Sequence, residues 1–346
     1  MTPGSQAAVL VTGGAGYIGA HTAKALAERG YRPVVYDDLS AGFREAVRWG
    51  PLVRGDIRDE AALRAAMSEH GVAAVVHFAG LIEVARSVSD PGPFWDVNVS
   101  GTRALLAAMQ AAGVPRLVFS STAAVYGQAG RAAGDLISED DEKAPSSPYG
   151  DTKLAAERMI AAHCRAHGLT AVALRYFNAS GADPSGVIGE AHEPETHLIP
   201  LALAAGLGDG RPLTLFGDDF DTADGTCLRD YVHVNDLAAA HVAAVGAELA
   251  GGTFEAMNLG AGRGHSVREV VAAAARALGR PVPHAIGPRR AGDPPSLVAD
   301  PSRARSRLGW EPARSDLDTI VRDALRWEAQ PAYAAGGRAS RRGEAK

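Results

Sequence analysis

The chain has 346 residues, enough to bury a large core as one α/β unit or as two closely joined lobes. With 35 Lys and Arg against 40 Asp and Glu its formal net charge is −5, which leaves no basic footprint for nucleic acid. No apolar run reaches membrane-span length, no signal-like stretch precedes Val9, and Cys164 and Cys227 fit no metal or redox spacing. The expectation is a cytoplasmic protein without a membrane partner or a metal, its two thiols buried as small apolar groups.

After a polar leader over residues 1–7, Val9 to Val11 reads as a buried parallel strand. Gly13, Gly16 and Gly19 follow at the spacing G-x-x-G-x-x-G, and His21 to Glu28 reads as a helix stopped at Gly30. Strand, glycine turn and helix in this order make a phosphate cradle. Gly13 permits the tight turn, Gly16 lets backbone N–H groups approach a pyrophosphate, and Gly19 lets the helix lie close to the strand. A second strand, Val34 to Asp37, ends on a carboxylate 18 residues after Gly19, where it accepts hydrogen bonds from adenosine ribose hydroxyls. A carboxylate there repels a 2′-phosphate, so the cradle favours NAD over NADP.

The alternation continues. Pro51–Asp56 reads as a third strand, Glu60–His70 as a helix, and Ala73–Gly80 as a fourth strand ending in small residues. Trp95–Gly113 reads as a long helix carrying Asn98, Arg116–Thr122 as a fifth strand, Tyr149–Gly168 as a helix and Thr170–Asn178 as a sixth strand. Strands alternating with helices from 9 to 178 predict a Rossmann-type, doubly wound parallel sheet. Beyond Asn178 the texture changes. Ala179–Glu195 reads as loop, Leu198–Leu207 as helix, Leu213–Phe216 as strand and Asp218–Arg229 as polar loop. Asp230–Val234 reads as strand, and Asn235–Ala250, Ser266–Leu278 and Leu317–Trp327 as helices. The expected organisation is a cofactor domain over 1–178, with further segments returning from about 230–262. A smaller substrate lobe spans 179–330, and 331–346 forms a frayed tail.

The chemistry gathers on one helix face. Tyr149 and Lys153 are four residues apart and so share a face, with Pro148 at the helix start and Ser146 or Ser147 as a cap. Lysine is scarce (only Lys24, Lys143, Lys153 and Lys346), which favours a chemical reason for each one kept. A phenol with a pKa of roughly 10 is a poor base at neutral pH. A nearby ammonium and a nicotinamide cation together would stabilise the phenolate. Reaching about 7 needs roughly 4 kcal/mol, which two positive charges in a desolvated site can supply.

The glycine turn, His77-Phe-Ala-Gly80, Phe119-Ser-Ser-Thr-Ala-Ala-Val-Tyr-Gly127 and Tyr149-x-x-x-Lys153 together resemble the extended short-chain dehydrogenase/reductase superfamily. The stretches Leu174-Arg-Tyr-Phe-Asn-Ala-Ser-Gly-Ala-Asp-Pro-Ser-Gly186 and Asp224-Gly-Thr-Cys-Leu-Arg-Asp-Tyr-Val-His-Val234 are similar to its UDP-glucose 4-epimerase branch. The resemblance runs from about Val9 to Trp327. It implies inversion at C4 of a UDP-hexose through a transient 4-keto sugar, with NAD as cofactor and a homodimer built on helices 95–113 and 149–168. It implies Tyr149 as base, Lys153 as the group that depresses its pKa and holds the nicotinamide ribose, and Thr122 as partner of the reacting oxygen. Gly13, Gly16, Tyr17, Ile18, Gly19, Asp37, Asp56, Ile57, Phe78, Ala79, Gly80, Asn98, Ser120 and Tyr176 would line the cofactor site with Tyr149 and Lys153. On the substrate side it implies Asn178, His197 and Leu198 near the diphosphate, and Phe216 at the uracil. Arg229 and Arg290 would meet phosphate, and Asp293 the uridine ribose.

Some positions depart from that pattern. Thr122 replaces a serine, Ile82 stands where a lysine often meets the cofactor, and His197 where an asparagine is common. Leu297 stands where residue size tunes room for an N-acetyl group. A dehydratase needs an acid–base pair directly after the strand-end hydroxyl, and Ala123-Ala124 cannot transfer protons. A 4-epimerase of another UDP-sugar (UDP-xylose or arabinose, UDP-GlcNAc or GalNAc, UDP-glucuronate) is the alternative, and a non-catalytic NAD-binding protein a more distant one.

Overall fold

The computed structural model describes residues 6–127, 134–208, 212–290 and 293–333; most of the leader, Ala291, Gly292 and the tail from 334 lie outside the described residues. In β1 (Ala8–Thr12) every residue is buried, and its side chains part by pleat. Ala8 and Leu10 enter the core on one sheet face, Val9 and Val11 the core on the other. A strand covered on both faces needs a continuous apolar run. Each fully buried Val or Leu there stabilises the fold by about 1.5–3 kcal/mol.

The first half runs as α1 (Tyr17–Glu28), β2 (Arg32–Asp37), β3 (Leu52–Arg54), α2 (Glu60–His70), β4 (Val72–His77) and α3 (Val84–Ser89). Next, α4 (Gly92–Phe94) continues through a π-helical turn, Trp95–Ser100, into α5 (Gly101–Ala112). Then come β5 (Arg116–Thr122), α6 (Pro148–His167), β6 (Thr170–Tyr176) and β7 (Asn178–Ser180). The second half contains α7 (Leu198–Leu207), β8 (Leu213–Phe216), β9 (Leu228–His233), α8 (Val234–Gly246), β10 (Phe254–Leu259) and β11 (Gly264–Ser266). It continues with α9 (Val267–Leu278), β12 (His284–Gly287), β13 (Ser296–Leu297), α10 (Ser302–Leu308) and α11 (Leu317–Ala329).

Seven parallel strands form the central sheet in the order β10-β6-β5-β4-β1-β2-β3. The order reverses between β1 and β4, so the carboxyl ends of these two strands open a crevice where ligands of such sheets bind. Helices α2, α5 and α6 cover one face; α1 and α8 cover the other. Against the sequence reading, β3 keeps only three residues and β4 ends at His77. The helix placed at His21 starts four residues earlier, directly after Gly16. The expected loop from Ala179 overlaps β7, and the helix placed from Asn235 to Ala250 runs from Val234 to Gly246. The strand β10, absent from the sequence reading, adds the seventh edge to the sheet beside β6.

Helices α3 and α4 pack against α6, and α10 against β10 and α8, while α7, β8, β9, α9 and α11 pack as a smaller body. There β9 is the hub, pairing with β7, β11 and β13. Ile199 and Leu203 of α7, Val270 of α9 and Ile320 of α11 share one core. Both cysteines are buried and free.

Candidate active site

At the crevice, Gly13 turns the chain with φ of 69°, its N–H donating to Tyr36 O at 2.9 Å. A Cβ there would stand 2.6 Å from Ala79 N, and one on Gly19 would stand 2.2 Å from Gly13 O. Both glycines are therefore demanded by close approach. Gly16 differs: a Cβ there would meet only Gly13 O, at 3.3 Å, and its other side is open. It is the N-cap of α1 and makes no side-chain capping bond, so the N–H groups that begin the helix at Tyr17, Ile18 and Gly19 are left without a capping side chain. Phe78 and Ala79 both donate backbone N–H to Thr12 O, which stitches the ends of β4 and β1 together.

Asp37 closes β2 beside this turn. Its buried carboxylate accepts Ala15 N–H and Leu39 N–H, both at 2.9 Å, while burial outweighs these bonds and raises its pKa. Asp56 is turned toward Arg58, which holds its carboxyl below the usual range, and its backbone O accepts the Tyr36 hydroxyl at 2.9 Å. Ile57 packs into the core. Gly80 joins two further residues: a Cβ on it would lie 2.9 Å from Asn98 Oδ1 and 3.7 Å from Lys153 Nζ. Asn98 accepts Leu81 N–H at 2.8 Å and donates to Leu81 O at 3.0 Å and to Thr152 Oγ1 at 3.1 Å. Its carbonyl accepts the Thr102 hydroxyl, whose oxygen lies 3.1 Å from His77 Nε2. With that hydroxyl proton committed to Asn98, His77 Nε2 is the donor and Nδ1 accepts from Thr12 Oγ1 at 2.7 Å. Burial and the Lys153 charge push His77 down to about 3, which keeps this tautomer neutral. Ile82, by contrast, is exposed.

Helix α6 carries the reactive face. Ser147 caps it by accepting Gly150 N–H at 3.2 Å, and Ser87 of α3 accepts Tyr149 N–H at 3.2 Å. Tyr149 is 8% exposed, and Thr122, whose hydroxyl accepts Ala124 N–H at 3.1 Å, closes the end of β5 beside it. Lys153, 3% exposed, donates to Ser120 O at 3.0 Å and stands 5.0 Å from the centre of the Phe119 ring. Ser120 Oγ pairs with the Tyr176 hydroxyl. Without a cofactor charge, burial pushes Tyr149 up to about 12, opposed by the Thr122 hydroxyl. Lys153 lies one turn along the same helix face, spends one of its three N–H donors on the β5 carbonyl and is held down to about 8 by burial.

The substrate-side residues fall into pairs. Arg290 lies over the Phe216 ring at 4.0 Å, a cation–π platform on an exposed aromatic face. Arg229 reaches Asp293 at 3.4 Å and donates to Leu228 O and Pro294 O. Asn178 donates its amide to Asp230 O at 3.0 Å across the β7–β9 pair, so one of its donors is engaged within the fold. Leu297 pairs with Arg229 and packs against Val125 and Leu154. His197 is the N-cap residue of α7, directly before Leu198, and its imidazole lies between two carboxylates.

Sequence reasoning missed the support beneath α6. Glu157 accepts Ser121 Oγ–H at 2.5 Å and pairs with Arg175 at 2.6 Å, and Arg175 in turn donates to the Tyr126 hydroxyl at 2.9 Å. The signal was present, since Glu157 lies one turn after Lys153 on the same face. It missed as well that Glu190, His192 and Glu195 gather round His197.

Comparison with known proteins agrees with this geometry. Residues 9–260 match the NAD dependent epimerase/dehydratase family. A UDP-glucose 4-epimerase of Rhizobium leguminosarum bv. trifolii is 51% identical over 322 residues, covering 93% of this chain and 97% of that one. The crystal structure of UDP-glucose 4-epimerase from Brucella ovis in complex with NAD is 52% identical, with a TM-score of 0.88 over 92% of this chain and 97% of that one. The enzyme from Bifidobacterium longum, crystallised with NAD+ and UDP, is 36% identical with a TM-score of 0.88, covering 94% and 100%.

Proposed function

Since the chain belongs to the NAD dependent epimerase/dehydratase family, we propose that it interconverts UDP-glucose and UDP-galactose by inversion at C4, with NAD as cofactor. The observation that carries the residue assignment is the burial of Tyr149 and Lys153, one turn apart on α6, with Lys153 anchored on Ser120 O at the carboxyl end of β5 and Gly80 beside it. The residues fit NAD: the open face of Gly16, the uncapped start of α1 and the buried Asp37 carboxylate suit a pyrophosphate and an adenosine ribose. When bound, NAD supplies a reversible hydride acceptor and a positive charge.

The chain's own groups do the rest. Tyr149 removes the proton from the 4-hydroxyl and returns it to the same oxygen, inversion following when the transient 4-keto sugar turns its opposite C4 face to the hydride, while Thr122 holds the reacting oxygen. Lys153, anchored on Ser120 O, meets the nicotinamide ribose; Asn98 and Tyr176 complete that wall. Phe216 under Arg290 offers a face for the uracil, and Arg229, Asn178 and His197 face the diphosphate, with Asp293 at the uridine ribose. Cofactor binding falls to residues 1–178 with 230–262, and substrate binding to 179–330. The proposal extends to a cytoplasmic homodimer.

The test is turnover of UDP-galactose followed as UDP-glucose formation. Tyr149→Phe is expected to lower the rate by about 10²–10⁴-fold with NAD binding retained. Turnover at the wild-type rate would remove Tyr149 as the base.

A further inference from the structure

The loop before α7 brings Glu190, His192, Glu195 and His197 to one point, with one ligand atom from each lying within 4.8 Å of all the others. His197 Nδ1 stands 2.8 Å from Glu190 Oε1 and 2.9 Å from Glu195 Oε1. His192 Nδ1 stands 3.2 Å from Glu190 Oε1 and 3.9 Å from Glu195 Oε2. Four donors bound to one ion at about 2.0–2.2 Å in a tetrahedron lie about 3.3–3.6 Å from each other. The His197 separations are hydrogen-bond lengths and the four-atom set spans up to 4.8 Å, so small side-chain shifts bring the four donors to that spacing.

A second observation points to a missing partner. Glu195 Oε2 and His192 Nδ1 are buried and make no hydrogen bond, although the Glu195 side chain is only 4% exposed. An unpaired buried carboxylate oxygen is costly, and a cation is the group that would satisfy it together with the imidazole facing it. Around the cluster the frame is firm. Trp327 donates to Glu190 O at 2.7 Å, and the Tyr17 ring stands edge-on to His192. Two imidazoles and two carboxylates form a nitrogen–oxygen set suited to Zn2+ rather than to Ca2+ or Mg2+, which take oxygen ligands alone.

We propose that Glu190, His192, Glu195 and His197 bind one divalent transition-metal ion of the Zn2+ type, which ties the 190–197 loop to the start of α7. The ion belongs to the frame of the molecule and takes no part in the proton transfer assigned to Tyr149. The competing occupant is a proton on His197 shared between the two carboxylates, and the experiment separates them.

Chelator-treated, dialysed protein is titrated with Zn2+, and in parallel with Co2+ as a spectroscopic substitute. The expected result is one Zn2+ per chain by elemental analysis, a visible Co2+ absorption of tetrahedral intensity, and a rise in Tm on adding Zn2+. All three are lost in His192→Ala and in Glu195→Gln, while circular dichroism and NAD binding stay as in the wild type. Less than a tenth of an equivalent bound at micromolar Zn2+ overturns the proposal. So does binding that persists unchanged in both variants, which places the ion elsewhere. Should His192→Ala fail to fold, the near-isosteric Glu195→Gln decides alone.

Discussion

Lys153 sits buried against the Phe119 ring, and burial holds its ammonium down to about 8, opposed by the Glu157 charge. An unfolded lysine titrates near 10.4, so between about 8 and 10.4 the unfolded chain binds more protons than the folded one. Stability attributable to this group is therefore fully present above about 10.4 and is lost as the pH falls through about 8. Lys153→Met removes that dependence. The stability gap, variant minus wild type, is expected to shrink by about 3 kcal/mol between pH 7 and 10.5, read from denaturant unfolding at a series of pH values. A gap that stays constant would mean that Lys153 is not desolvated. The same burial explains why the bare chain leaves Tyr149 at about 12: the phenolate needs a positive charge beyond those the fold provides.

Helix α6 is positioned by what lies under it. Its N-terminus is fixed by Ser147, and its middle by Glu157, which grips Ser121 of β5 and Arg175 of β6 at once. This clamp sets the distance between Tyr149 on the helix and Thr122 at the strand end. Removing one partner strands the other as a buried, unpaired charge. Arg175→Met should cost about 3–5 kcal/mol and lower Tm by on the order of 10 °C. Replacing both partners with Glu157→Gln and Arg175→Met should cost far less. A double variant whose loss equals the sum of the losses of Arg175→Met and Glu157→Gln alone would show that the pair does not couple. Elsewhere a reciprocal cap fixes the start of α9: Ser266 Oγ accepts Glu269 N–H at 3.0 Å, and Glu269 accepts Ser266 N–H at 2.8 Å.

Across the whole molecule the strand order of the large sheet reverses between β1 and β4, and the smaller sheet is built round β9. On the flank formed by α3 and the π-helical turn, Val88 is 65% exposed and Trp95 43% exposed. Large apolar side chains on a flank beside α5 and α6 suit a subunit contact, which supports the homodimer proposed above. Light scattering at micromolar concentration is expected to give twice the chain mass, and Trp95→Arg to shift it toward the monomer. A monomeric wild type would reject this flank as the contact.

The local features were legible in the residues themselves. The glycine spacing, the apolar runs of β1 and β4, the carboxylate of Asp37 and the Tyr149–Lys153 pair all depend on neighbours within one turn of helix or one strand–turn–helix unit. Their geometry follows from periodicity and backbone sterics alone. What joins distant segments was not written locally. That β10 returns to the sheet edge beside β6, that Arg175 finds Glu157, that Asn178 gives a donor to β9, and that Glu195 lies against His192 and His197 were settled by which surfaces bury against each other. The protonation of the site belongs to the tertiary structure as well. A side chain's pKa depends on how much water its surroundings exclude, and only the packed fold determines that.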